Sequence, residues 1–243
     1  VDPVFSVGQT NFYLAYQGEN DIDIQTRVAA IYLKSCPDLT FIADHCHSAG
    51  IKVIIDNTWS AGYFFKPFDN GVDVSIQAAT KYYVGHSDAM LGAVTTLQEH
   101  YSAVRNSARV LGYHAAPDDA YLGLRGIRTL ATRLKRHEKN ALIVADWIAN
   151  QPEILTVLHP AFPTCPGHEF WKRDFTGSSG LFSILLKKCS DEAVAAMIDG
   201  LELFALGGSW GGYESLIFRT HLTRSVTDWN VATPCIRLHI GLE

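Results

Sequence analysis

Two short apolar runs, Val53–Ile55 and Val72–Ile76, constrain the fold more than anything else in the sequence. Each has the length of a buried strand and is too short for a helix. As strands of one parallel sheet they open their carboxyl ends on the same edge, which is where open α/β sheets hold ligands. Asp56 ends the first run. Lys81 follows the second through the small residues Ala78, Ala79 and Thr80. The pairing therefore places a carboxylate and an amine in one crevice.

Pyridoxal phosphate needs such a pair. A lysine amine forms a Schiff base with its aldehyde, and a carboxylate keeps its pyridinium nitrogen protonated so that the ring accepts electrons. On spacing alone, an ordinary Asp–Lys pair at a strand edge satisfies the same pattern.

The surrounding words separate the two readings. DNTW at 56–59, GVDVSIQAATKY at 71–82 and GHSDAMLG at 85–92 follow one another in order. They resemble the lysine region of the Cys/Met-metabolism (trans-sulfuration) pyridoxal-phosphate enzymes, and within that family its β-lyase branch. Further words of the same kind are HEFWKRDFTGSSGLFS at 168–183, GSWGGYESL at 208–216 and IRLHIGLE at 236–243. Several ordered words are far more specific than a lone glycine motif.

The resemblance implies an α/β fold of type I pyridoxal-phosphate transferases. It has a mostly parallel sheet flanked by helices, then a smaller α+β C-terminal domain. It implies a carbon–sulfur β-lyase that converts L-cystathionine to homocysteine, pyruvate and ammonia in methionine biosynthesis, working as a homotetramer built of dimers. Lys81 would carry the cofactor as a covalent aldimine. Asp56 would meet the ring nitrogen and the Thr80 hydroxyl the phosphate. Arg237 would take the substrate α-carboxylate through two parallel donors, with Ser209 and Trp210 flanking it. Trp59 and Trp210 stand where γ-acting relatives usually carry Phe and Leu. The alternatives are a cystathionine γ-synthase or γ-lyase, or a truncated non-catalytic relative that keeps the fold. Ala78 replaces a serine found in many members and removes one phosphate contact.

The resemblance spans roughly residues 41–243. A glycine turn before Asp56, a ring-stacking tyrosine and a Tyr-x-Arg word are not found. The expectation is that these residues belong to a longer enzyme.

Net charge is −5 with no basic block, which argues against nucleic acid. No window approaches 18 apolar residues, so no membrane span is expected. The first twenty residues do not read as a signal peptide. Five scattered cysteines without a CxxC read as reduced thiols in the cytoplasm. No metal site is expected. His45-Cys46-His47 cannot converge on one ion, because adjacent helical residues splay by roughly 100°.

Domain boundaries are expected at 1–116 (an incomplete cofactor-binding domain), 117–150 (a linking long helix) and 151–243 (the α+β domain). Residues 1–38 show no sustained period, apart from a short strand at Ile31–Leu33. Leu39–Ala49 reads as a helix with Asp38 as N-cap and Gly50 as stop. Leu97–Leu111 reads as a second, with Leu97, Tyr101, Val104, Ala108 and Leu111 on one side. A third runs from Pro117 to about Asn150, with a kink or break at Gly126 and its Arg and Lys residues between 125 and 139 solvated. Strands are expected at Ile154–Leu158, Leu181–Leu186 and Cys235–Ile240, and a helix capped by Ser190 to about Leu203. Trp59 and Phe64-Phe65 read as packing, and His86 as a loop tie.

Overall fold

The computed structural model describes residues 6–7 and 10–15 as strand backbone, and residues 36–220 and 233–243 in full. The expected strand Ile31–Leu33 lies outside the described residues. Two strands, β1 (Ser6–Val7) and β2 (Thr10–Ala15), occupy the stretch where no period is legible. Helix α1 (Leu39–Ser48) begins where its cap predicts, with Asp38 accepting from the Phe41 N–H at 3.2 Å. It buries Leu39, Ala43 and Cys46. His45 stays exposed, and His47 turns to Asp73 at 2.9 Å.

β3 (Lys52–Asp56) and β4 (Val74–Gln77) are the two strands that the apolar runs predict. They pair in parallel, with Ile54 opposite Val74 and Asp56 opposite Ile76. The buried Asp73 carboxylate fixes this join. It accepts from the Val53 N–H at 2.7 Å and meets the His100 ring at 3.2 Å. β5 (Ala93–Thr96) returns antiparallel to β4, and the sheet order is β1-β2-β3-β4-β5. The sheet is mixed rather than mostly parallel, since β3–β4 is its one parallel pair among the described residues. The physical reason is the link from β4 to β5. It holds Lys81 and no helical crossover, so β5 comes back beside β4 in the opposite sense.

α2 (Gln98–Val110) forms as expected but buries no residue; Tyr101, Val110 and Leu111 are exposed. The long helix is two, α3 (Pro117–Ile127) and α4 (Leu130–Ala149). Gly126 sits near the break for a packing reason. A Cβ there would lie 2.1 Å from the Tyr83 carbonyl oxygen and 2.5 Å from that of Val84.

The second sheet comprises β6 (Ile154–Leu158), β7 (Leu181–Leu186), β8 (Ala205–Leu206), β9 (Leu216–Thr220) and β10 (Cys235–His239). Its order is β6-β7-β10-β9-β8, so β10 lies at the centre and pairs antiparallel on both sides. Helix α5 (His168–Asp174) precedes β7. Helix α6 (Asp191–Asp199) follows it, capped by Ser190, and ends at Gly200, short of Leu203. Ala141, Ala145 and Ile148 of α4 pack on Phe182, Ile184 and Ile236. Each fully buried aliphatic or phenyl side chain there contributes about 1.5–3 kcal/mol. A further apolar cluster, Trp59, Phe64, Tyr82, Leu134, Leu181 and Trp210, joins the loops of the first sheet to the second.

Candidate active site

Lys81 stands on a helical turn that leaves β4. The turn is closed by Lys81 N–H to Ala78 O at 2.9 Å and Gly85 N–H to Lys81 O at 2.8 Å. Its carbonyl end is fastened by a buried arginine. Arg133 of α4 donates to Tyr82 O and to Gly126 O, each at 2.7 Å. Arg133 is the exception among the basic residues expected to be solvated; Arg125, Arg128, Lys135, Arg136 and Lys139 are exposed. A guanidinium has five donors, and three carbonyls converge on it. Tyr82 anchors the turn from below, fully buried, with its hydroxyl accepting the Gly180 N–H at 3.1 Å.

The Lys81 amine donates to the Ser209 hydroxyl at 2.9 Å and lies 5.6 Å from the centroid of the Trp210 ring. Burial, and then the positive charge of Arg237, hold its pKa below the ordinary lysine value. Both act by disfavouring the charged amine. Arg237 reaches the same loop from β10, donating to Gly207 O and Ser209 O at 3.3 Å. The structure thus brings Lys81, Ser209, Trp210 and Arg237 together. Trp210 is buried under the lysine, edge-on to Tyr82 at 5.4 Å between ring centroids.

Asp56 ends β3 on the same sheet edge. Its Oδ1 accepts from the Thr58 N–H at 2.9 Å and from the Thr58 hydroxyl. That hydroxyl in turn accepts the Ala78 N–H at 2.7 Å, tying the carboxylate to the strand end that precedes Lys81. Burial pushes the Asp56 carboxyl upward, and the Thr58 hydrogen bonds work against it. Thr80, the expected phosphate contact, is bonded to Leu91 in this structure. Its hydroxyl accepts the Leu91 N–H at 2.8 Å and donates to Leu91 O at 3.2 Å, closing the loop that returns to β5. His86 ties a loop down, meeting Val84 O at 2.7 Å. Trp59 is packing, with its indole N–H on Leu181 O at 3.0 Å.

Four contributors escaped sequence reasoning: Thr58, Arg133, His137 and His239. For the last three a signal exists. Positions 133, 137, 141 and 145 share one helix face, whose apolar members Ala141 and Ala145 are legible. His239 lies two residues beyond Arg237, so it shares that strand face. Elsewhere, Asp73, Glu99 and His100 converge, but Lys52 already lies 3.5 Å from Asp73 and 3.6 Å from Glu99.

A half-buried lysine of lowered basicity on the turn after β4, and a carboxylate at the end of the neighbouring parallel strand β3, are the arrangement that pyridoxal-phosphate sites on α/β sheets use. The sequence profile of the Cys/Met metabolism PLP-dependent enzymes matches residues 25–243, and the chain belongs to that family. It is 50% identical over 197 residues to cystathionine β-lyase MetC of Escherichia coli K12, covering 79% of this chain and 50% of that one. An L-alanine/L-glutamate racemase of Wolbachia pipientis wMel is 38% identical over 246 residues, 97% of this chain and 61% of that protein. Among solved structures, cystathionine γ-synthase of Xanthomonas oryzae pv. oryzae superposes with a TM-score of 0.79 at 34% identity, over 86% of this chain and 56% of that one. The chain spans about half the length of these and similar curated relatives that it matches.

The residues present fit the cofactor. An amine depressed in pKa and, among the described residues, donating to a neutral hydroxyl suits attack on an aldehyde, and a fixed, half-buried carboxylate suits a cationic ring nitrogen.

Proposed function

We propose that the protein is a carbon–sulfur β-lyase acting on L-cystathionine and releasing homocysteine, pyruvate and ammonia. The observation that carries this reading is the seating of Trp210, Ser209 and Arg237 around Lys81, in a chain 45–50% identical to three cystathionine β-lyases.

When bound, pyridoxal phosphate supplies an aldehyde for the lysine and a ring that takes up the electron pair from the substrate Cα. Lys81 would hold it covalently, Asp56 would face its ring nitrogen, and Thr80 would reach its phosphate by giving up Leu91. The chain's own groups do the rest. Arg237 pairs with the substrate carboxylate, exchanging two long backbone contacts for charge-assisted ones. The Lys81 amine, its basicity lowered by burial and then by the Arg237 charge, takes the Cα proton and returns a proton to the departing sulfur. Ser209 keeps that amine aimed from above the indole.

The same reading puts the enzyme in the cytoplasm, supported by the free state of all five cysteines. Among the described residues no helix is long and apolar enough to cross a membrane. Assembly as a homotetramer of dimers is supported by the exposed apolar surface of α2 and α3, which includes Tyr101, Leu111, Tyr121, Leu124 and Ile127.

Identification of the products from L-cystathionine tests the proposal. Pyruvate with homocysteine is expected. Cysteine with 2-oxobutyrate would make the enzyme γ-acting, and inversion of L-alanine without elimination would make it a racemase.

A further inference from the structure

We propose that Phe218 positions Arg237, its ring holding the guanidinium in place while a substrate carboxylate replaces the backbone contacts of that group. Phe218 touches no reacting atom and acts only through Arg237. The inference rests on the reading of Arg237 as the carboxylate-binding group, and the experiment separates the failure of one from the failure of the other.

The pairing follows from the register of the second sheet. β9 and β10 run antiparallel, and Phe218 stands directly opposite Arg237. Residues so placed put their side chains on one face of the sheet, with Cβ atoms about 4.5–5.5 Å apart. The guanidinium carbon lies over the phenyl ring, 5.4 Å from its centroid. The negative face of a ring attracts a cation out to about 6 Å.

Burial does not account for this ring. Its neighbour Ile217 belongs to the core beside α4 and is 2% exposed, whereas Phe218 is 41% exposed and belongs to none of the apolar clusters of the described residues. Its specific contact is with the charge.

Arg237 needs such a support when its partners are exchanged. Its Nη2 donates to Gly207 O and Ser209 O, both at 3.3 Å. These bonds are long, and a carboxylate arriving at the fork competes for the same donors. The ring does not compete, because its attraction is to the charge and leaves all five N–H groups for oxygen acceptors. β9 also sets the other side of the contact. Ile217 O accepts the Gly207 N–H at 3.1 Å, so the residue before Phe218 fixes the glycine whose carbonyl Arg237 holds. Two residues further along β10, His239 lies 3.1 Å from the Gly211 amide nitrogen, with His137 packed 5.1 Å behind it between ring centroids. Those two rings are buried and need no further restraint, whereas Arg237 is half-buried on a long flexible stem.

The test is kinetic and uses the cofactor-loaded enzyme with L-cystathionine. Phe218→Leu keeps an apolar side chain and removes the π face. It should raise KM about 2–5-fold with kcat within about twofold, because a contact that serves bound substrate and transition state alike acts on KM. Phe218→Tyr should keep the wild-type KM. A ring-trifluorinated phenylalanine in place of Phe218 separates attraction from bulk, since fluorine drains the ring face of negative charge and nearly preserves its shape. That variant should match Phe218→Leu. If it keeps the wild-type KM, Phe218 only fills space and the proposal is overturned.

Arg237→Lys is the reference. If it raises KM and Phe218→Leu does not, the proposal fails and the carboxylate reading stands. If neither substitution moves KM, Arg237 does not meet the substrate, and the functional reading fails with it.

Discussion

Replacing Gly126 by alanine opposes two well-understood effects, and the structure decides between them. In a helix interior, Gly→Ala normally stabilises by about 1 kcal/mol. Here the added methyl would lie 2.1 Å from Tyr83 O and 2.5 Å from Val84 O, both backbone atoms that cannot swing aside. Reaching ordinary contact requires α3 and the Lys81 turn to part by about 1 Å. Overpacking of that kind costs about 1–3 kcal/mol. The parting also stretches Arg133, which spans the same gap through Gly126 O and Tyr82 O at 2.7 Å each. Losing one such charge-assisted bond costs about 1.5–3 kcal/mol. A net destabilisation of about 2–4 kcal/mol should remain after the helix gain. Urea unfolding followed by tryptophan fluorescence should show the midpoint falling by about 1–2 M. An unchanged or higher midpoint would mean that helix propensity wins and that the close approach of α3 to the lysine turn is wrong.

Four further outcomes are expected. Borohydride reduction of the cofactor-loaded protein, followed by peptide mapping, should place the label on Lys81; a label on any other lysine refutes the assignment. Asp56→Asn should still take up cofactor but lose most turnover, because the ring becomes a poorer electron sink; near wild-type kcat would mean another carboxylate serves. Arg237→Lys keeps the charge and loses the two-donor fork, so kcat/KM should fall roughly 10–100-fold, about 1.4–2.8 kcal/mol. Acid should unfold the protein steeply. Burial holds His137 and His159 at about 4 and His239 at about 3, below the unfolded value of 6.5. The unfolded chain therefore binds protons that the folded one refuses, so stability is intact above pH 6.5 and falls from there toward 4. Each ring contributes about 1.4 kcal/mol per pH unit, giving a slope near 4 for the three; uptake of one proton or fewer on unfolding at pH 5 would contradict it.

The legible parts of the fold are those with local causes. Asp38 and Ser190 cap their helices through their own side chains, and β6 and β7 are dense apolar runs bounded as expected. Tertiary causes stayed hidden. The face of α2 has helical spacing but finds nothing to cover it among the described residues, so periodicity alone overstated its burial. The kink or break read at Gly126 falls just after it, between Ile127 and Leu130, but its cause, the close approach of two backbone carbonyls, leaves no mark in the sequence. Lys81, Asp56 and Arg237 stood out because their chemistry is particular to the site. Arg133, His137 and His239 did not, since a polar residue on an apolar face declares no partner until the fold supplies one. The expected solvation of Arg133 failed for that reason, because backbone carbonyls make no mark in a sequence.

Thr58 carries a consequence for symmetry. A hydroxyl has one hydrogen, and because the Ala78 amide already occupies a lone pair, that hydrogen is committed to Asp56. Among the described residues, both donors to Asp56 fall on Oδ1. The carboxylate's two oxygens, equivalent in solution, are made unequal here, because only Oδ1 receives those donors. A cationic N–H arriving at this strand end meets a single addressed atom, Oδ2, from one direction. Thr58→Val would keep the shape of the loop and remove one of the two donors, leaving the backbone N–H of residue 58 alone to mark Oδ1 and hold the carboxylate.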